Sequence, residues 1–302
     1  MTAKIGFIGL GMMGHGMARN ILNKGFGLAV MAHRNREAVD ALVGQGATEA
    51  ATPKALATAC DMVFLCVSGS PQVEQIVYGE DGILAAARPG FTLIDCTTSD
   101  PTSTRHIATD LEKFGAHMAD APVTRGPADA EAGRLNSMVG ASPETFETIR
   151  PVIDAYSENV VYFGGVGAGH TAKLINNFVT TGTCALIAEG MAAAAAMGVD
   201  QRALFDVMSN GAANSGSLQK MVPKFLEGDL TGHAFAIQNA HKDVSYYGQM
   251  ATAIGLEPSL GLAVAKSYQK AMDLGLGERL MPSLMEMYEK TGGFNVVPRK
   301  KR

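Results

Sequence analysis

Apolar residues in the first half of the chain come in short unbroken runs, and those of the second half spread over longer stretches. The runs at residues 4–9, 28–32, 61–67, 90–95 and 117–121 are bounded by glycine or polar turns. They read as buried strands, apolar on both faces as in a parallel sheet. Residues 13–24, 38–44 and 54–59 read as helices between them, with Pro53 at the start of the third. Residues 137–140 and 160–163 are the last strand candidates, with a helix over 143–155 between. Alternation of this kind predicts a doubly wound sheet whose site lies at the C-terminal ends of its strands. After it, a glycine-rich turn from Gly164 feeds a proline-free stretch, 171–197, that reads as one long helix ended by Gly198. Helices follow at 201–209, 218–226, 237–254, 260–274 and 280–288, with a polar loop at 212–216 and no comparable strand signal.

The first strand runs into Gly9-Leu10-Gly11-Met12-Met13-Gly14. A GxGxxG that follows a strand and opens a helix marks a dinucleotide site. Gly9 allows the tight turn, Gly11 the approach of a pyrophosphate, and Gly14 close packing of helix on strand. Met12 leads into the helix that Met13 begins, whose N-terminus favours negative charge. The second strand ends in His33-Arg34-Asn35-Arg36, with no acid until Glu37. A 2′-hydroxyl reader is an acid, whereas Arg34 suits a 2′-phosphate, so the cofactor expected is NADP(H). Two solvated arginines at a helix start are the plainer alternative. Val67 and Ser68, in the loop 67–71 after the third strand, and Thr97, after the fourth, are placed to touch it. Ser99 or Asp100 is expected to cap the next helix, with Pro101 in its first turn. The fifth strand ends in Asp120-Ala121-Pro122-Val123-Thr124-Arg125-Gly126. Thr124 can donate a hydroxyl, and Arg125 can clamp an oxyacid anion or pair with a nearby acid. The fold expected is an α/β Rossmann-type domain over 1–164, an all-α substrate and oligomerisation domain over 165–297, and a basic tail over 298–302.

Composition narrows the reading. The 302 residues suit two domains, and 47% hydrophobic with 18% charged residues supports sizeable cores. A net charge of -4 gives no electrostatic case for nucleic acid. Cys60, Cys66, Cys96 and Cys184 form no CxxC and read as reduced thiols of a cytoplasmic protein. No basic segment, h-region and cleavage site opens the chain, and no uninterrupted apolar stretch is long enough to span a bilayer. The seven histidines make neither HxH nor HExxH, and no GxSxG occurs, so metal and hydrolase chemistry are unsupported. The apolar surplus of the helical half points to a dimer.

Lys173 is the strongest candidate proton carrier. Reduction of a carbonyl needs a hydride at carbon and a proton at oxygen. A lysine shielded by a cofactor has a lowered pKa and can supply that proton. Asn177, four residues on, shares its helical face and can hold the carbonyl, the alcohol or the lysine. Lys242 reaches toward the cofactor, with Asp243 as its structural partner.

Four blocks together resemble the β-hydroxyacid dehydrogenase family, which includes 3-hydroxyisobutyrate dehydrogenases: residues 9–14, 120–126, Gly167-Ala168-Gly169-His170-Thr171-Ala172-Lys173-Leu174-Ile175-Asn176-Asn177, and Lys242-Asp243. The resemblance spans nearly the whole chain. It implies a homodimer or homotetramer, a small anionic carbonyl or hydroxy substrate, catalysis by Lys173 with Asn177, and Lys242 near cofactor and substrate. Imine reductases share the architecture but usually lack this lysine. Two departures stand out. The family's substrate loop usually reads Ser-Gly-Gly where this chain has Thr124-Arg125-Gly126. His33-Arg34-Asn35 looks like the Asn-Arg-Thr of NADP-preferring relatives. Arg125 raises a second substrate class, a short sulfonate or phosphonate carbonyl compound such as a 2-oxoalkylphosphonate. A non-catalytic NADP-binding sensor, which needs the glycines but not Lys173, is the alternative outside enzymes.

Overall fold

Strand β1, Lys4–Ile8, serves two faces at once. Ile5 and Phe7 enter one hydrophobic cluster and Ile8 enters another on the opposite side, the alternation that an extended backbone imposes. The computed structural model describes residues 3–32 and 36–298. His33, Arg34 and Asn35 and the basic tail from 299 onward lie outside the described residues.

After β1 come α1 (Gly14–Asn23), β2 (Gly27–Met31), α2 (Arg36–Gly44), β3 (Thr48–Glu49), α3 (Pro53–Ala59), β4 (Met62–Leu65) and α4 (Ser70–Tyr78). Then follow β5 (Thr92–Asp95), α5 (Pro101–Glu112), β6 (His117–Asp120), β7 (Val123–Thr124), α6 (Pro127–Glu131), β8 (Leu135–Gly140), α7 (Pro143–Ile153) and β9 (Ser157–Gly164). The strand order is β3-β2-β1-β4-β5-β6-β8-β7, with β9 paired to β8. Pairs from β3 through β6 are parallel, β8 is antiparallel to β6 and β7, and β9 is parallel to β8. The chain moves outward from β1 to β3 and then returns to β4 on the other side. That reversal is the switch point at which a dinucleotide crevice opens.

Met62 and Phe64 of β4 face the same side as Phe7, while Val63 and Leu65 face the side of Ile8. Helices cover both sides, so the central strands β4 and β5 are buried at every position. Three helices start alike. Thr52, Asp100 and Ser142 accept from the N–H groups of Ala55, Thr102 and Thr145, each with a proline next. The side-chain oxygen satisfies an orphan amide, and proline gives up none. Asp100 is the cap of α5, and Ser99 instead donates to Asp95 at 2.8 Å. Helix α4 starts at Ser70, inside the segment expected to be a loop, because Pro71 opens its first turn.

The chain divides after Lys173 into two units, within helix α8 (Ala168–Ala196). The second unit holds α9 (Gln201–Ser209), α10 (Gly216–Leu226), α11 (Ile237–Ala253), α12 (Ser259–Asp273) and α13 (Leu284–Gly292). Its core includes Cys184, Met191, Leu218, Phe225, Tyr268 and Met285. The Tyr268 hydroxyl meets its need inside that core by donating to the Thr181 carbonyl at 2.9 Å. Among the described residues this unit has no strand, only a bridge between Ala236 and Leu280. By length and a mean hydropathy of 1.3, α8 would pass for a membrane span. Its scattered polar residues nonetheless keep it from being one unbroken apolar run. Half of its most apolar window is buried within the protein, as in a core helix.

All four cysteines are free thiols. Burial pushes Cys60 and Cys184 up to about 11 and Cys66 to about 12, and raises Cys96 well above its ordinary value. Thiolate is the reactive form. The folded protein is therefore expected to react slowly with Ellman's reagent at pH 8, with all four thiols titrating once it is denatured. A rapid stoichiometric thiol in the native protein would contradict this.

Candidate active site

The turn after β1 closes against its neighbours through hydrogen atoms alone. Gly9 has φ +102, and a Cβ there would be driven into the backbone carbonyl of Cys66. A Cβ on Gly14 would be driven into the carbonyl of Gly9. Gly11 differs, with no atom within 4 Å of where its Cβ would stand. Helix α1 has no side-chain cap at Met13 and no acid in its first turn, so its leading amides are left for an anion. Val67 donates its N–H to the Thr97 hydroxyl at 3.0 Å, which ties the loops after β4 and β5 together. Gly9, Gly11, Met12, Met13, Gly14, Val67, Ser68 and Thr97 thus gather at the C-terminal edge of the sheet around the switch point. The open side of Gly11 and the uncapped helix fit a dinucleotide. Arg36 is committed elsewhere, to Glu49 at 2.7 Å and Asp40 at 3.0 Å.

Lys173 is 8% exposed and donates to the Val123 carbonyl at 2.7 Å. It therefore stands beside the 124–126 loop. The Thr124 hydroxyl accepts from the Asn136 amide at 3.2 Å, and Asn136 in turn accepts from Asn159 at 2.9 Å. This relay fixes Asn136 as the donor and leaves the Thr124 proton to be given outward. Arg125 has two partners within the fold. Its guanidinium donates to the Arg134 carbonyl at 2.6 Å and pairs with Glu158 of β9. Its φ of +79 makes it the one described non-glycine residue with left-handed backbone. Gly126 follows and opens α6. Sequence reading missed Asn136, Asn159 and Glu158, because β8 and β9 bring them to the loop from far along the chain.

In the second unit, Asn177 is 8% exposed. Its amide donates to Asp243 at 2.6 Å, and its oxygen accepts from Asn176 at 3.1 Å. Asp243, 2% exposed, also pairs with Lys242 at 2.8 Å. The Lys242 ammonium lies 5.0 Å from the Tyr246 ring centre. Asp243 thus aligns Asn177 and holds Lys242 together. Lys173 and Asn177 share a face of α8 one turn apart. Among the described residues no three His, Cys, Asp or Glu side chains converge as metal ligands.

Two family models cover most of the chain. Residues 4–164 match the NAD-binding domain of 6-phosphogluconate dehydrogenase. Residues 167–288 match the NAD-binding domain of NADP-dependent 3-hydroxyisobutyrate dehydrogenase. Among curated relatives, 2-(hydroxymethyl)glutarate dehydrogenase of Eubacterium barkeri is 32% identical over 98% of each chain. The 3-sulfolactaldehyde reductase of Escherichia coli K12 is 33% identical over 97% of this chain and 98% of its own. Among solved structures, Mycobacterium tuberculosis 3-hydroxyisobutyrate dehydrogenase with L-serine superposes with a TM-score of 0.83 at 26% identity. That match covers 95% of this chain and 99% of that one.

Proposed function

We propose, for a chain that belongs to the 3-hydroxyisobutyrate-dehydrogenase-like family of NAD(P)-binding oxidoreductases, hydride transfer between NADP(H) and a short anionic 3-hydroxyacid or semialdehyde. The observation that carries this is Lys173, nearly buried and held on the Val123 carbonyl beside the loop that starts at Thr124. When bound, reduced nicotinamide supplies the hydride for the carbonyl carbon. Lys173 draws the carbonyl oxygen to Nζ and gives it a proton as charge builds there; in the reverse direction Nζ takes the proton from the alcohol. Thr124 donates its outward hydroxyl to the substrate's anionic group. Asn177, aligned by Asp243, orients the reacting oxygen, and Lys242 lies by the cofactor. Gly9, Gly11, Met12, Met13, Gly14, Val67, Ser68 and Thr97 hold the dinucleotide. His33, Arg34 and Asn35 supply the preference for a 2′-phosphate. Ile175, Val179 and Leu186 are 47%, 59% and 73% exposed on α8, and this apolar face supports a homodimer or homotetramer. Four free cysteines support a reducing, cytoplasmic setting.

Arg125 favours a second reading, a sulfonate or phosphonate carbonyl substrate such as a 2-oxoalkylphosphonate. An exposed ion pair is worth at most about 1 kcal/mol, so an anionic substrate can draw Arg125 away from Glu158. The test is a panel of three- and four-carbon carbonyl compounds bearing carboxylate, sulfonate or phosphonate, with NADPH and NADH in parallel. Expected are turnover of the carboxylates, about tenfold or greater preference for NADPH, and loss of that preference in Arg34→Ala, of the order a lost charged contact produces. A preference for phosphonate or sulfonate that vanishes in Arg125→Gly moves the assignment to the second reading. Arg125→Gly suits its left-handed backbone, so unfolding does not confound it. Tight NADPH binding with no turnover across the panel would overturn both readings and leave a sensor.

A further inference from the structure

The reaction above engages Lys173 and leaves unused three buried ionisable groups beside the start of α8. Asp95 is 1% exposed, and Asp120 and His170 are 0% exposed. Asp120, the last residue of β6, takes one amide on each carboxylate oxygen. Oδ1 accepts from the Gly167 N–H and Oδ2 from the His170 N–H, both at 2.6 Å. Three residues later the Val123 carbonyl receives the Lys173 ammonium at 2.7 Å. One short segment thus grips the same helical turn twice, at its backbone and at its lysine.

The seam is close on both sides. A Cβ on Gly140 would stand 2.6 Å from Asp120 Oδ1 and 2.8 Å from the Gly169 nitrogen. A Cβ on Gly169 would stand 2.9 Å from the Asp120 carbonyl oxygen and be driven into that of Met138. His170 anchors the turn's other side. The Thr104 hydroxyl oxygen stands 2.8 Å from His170 Nδ1 and 3.1 Å from the Asp100 carbonyl. His170 Nε2 makes no hydrogen bond and lies 3.8 Å from Asp95 Oδ2. A serine cap offers a single oxygen where these amides meet two, and asparagine would turn an NH₂ toward the second. The carboxylate takes each amide on its own oxygen and so fixes the rotation of the turn as well as its position. Burial raises the Asp120 pKa, with His170 and the two amides opposing the rise, so its ionised form is held at a cost that a simple surface cap does not bear.

We infer that Asp120 is a positioning residue for Lys173: it locks the first turn of α8 so that Nζ meets the substrate oxygen at the required place. The inference rests on the reading of Lys173 as proton carrier. Misplacing a reacting group by about 1 Å costs about 100-fold, which sets the scale of the test.

The test uses the full chain, NADPH and the best carbonyl substrate of the panel. Asp120→Asn is expected to lower kcat by about 30- to 100-fold, with KM and the NADPH Kd changed less than about twofold. Gly169→Ala keeps Asp120 but lifts the turn from the seam, and should give the same signature. The double variant should be little worse than either single one, because coupled changes do not add. A folded Asp120→Asn with unaltered kcat overturns the inference. So does a loss in which kcat, KM, NADPH binding and melting temperature decline together, and so does failure of both variants to fold, since each assigns the seam to stability alone. Lys173→Ala separates the two ideas. If it keeps full kcat, the reading of Lys173 has failed. If it is inactive while Asp120→Asn is not, only the positioning role has failed.

Discussion

Lys173→Ala is expected to lower kcat for carbonyl reduction by about 10²–10⁴-fold, the usual worth of a positioned proton donor, while NADPH binds as before. The separation follows from where the side chain is held. Lys173 lies on the Val123 carbonyl, and the dinucleotide turn at Gly9–Gly14 is built from β1, α1 and the strand end at Cys66. Steady-state kinetics and NADPH fluorescence titration on one preparation would show it. Lys173→Arg should rescue little, because an arginine cannot give up its proton at neutral pH. Turnover within about twofold of the unaltered enzyme would remove Lys173 from the reaction.

The second large effect is expected at the glycine turn, where two neighbouring glycines should behave differently. Gly9→Ala puts a side chain on left-handed backbone and presses it into a main-chain carbonyl that cannot move aside. Strain and overpacking together cost roughly 3–5 kcal/mol, a large share of a domain's stability. A fall in Tm of roughly 10 °C and loss of NADPH binding should follow. Gly11→Ala meets no protein atom, so Tm should hold while NADPH affinity drops, because the methyl group occupies the approach. Differential scanning fluorimetry with and without NADPH distinguishes them. Equal Tm losses in both variants would contradict the geometry of the turn.

What could be read from the residues was whatever local order dictates. The buried runs became β1, β2, β4, β5 and β6, and the glycine pattern marked the turn before α1. The long proline-free stretch became α8, with its start three residues earlier than expected, at Ala168. Elements too short to show a period were missed: β3 and β7 have two residues each and α6 has five. Helix α4 was missed because Ser68-Gly69-Ser70-Pro71 reads as a turn, although proline just inside a helix is also a start signal. The partners of site residues were invisible for a different reason. Glu158 reaches Arg125 and Asp243 reaches Asn177 only through tertiary folding, and no local pattern announces a contact across 33 or 66 positions. The sequence showed what Arg125 can bind, and tertiary folding supplies Glu158 as its carboxylate partner.

Helix α8 also bears on how such a protein can be recombined. The division between the two units falls after Lys173, inside the helix, and Asn177 lies on the far side of it. A helix advances about 100° per residue, so one residue added or removed at 174–176 would swing Asn177 off the face of Lys173. The boundary is thus closed to crossovers that change length, and chimaeras between relatives should work only when cut in register or with α8 inherited whole from one parent.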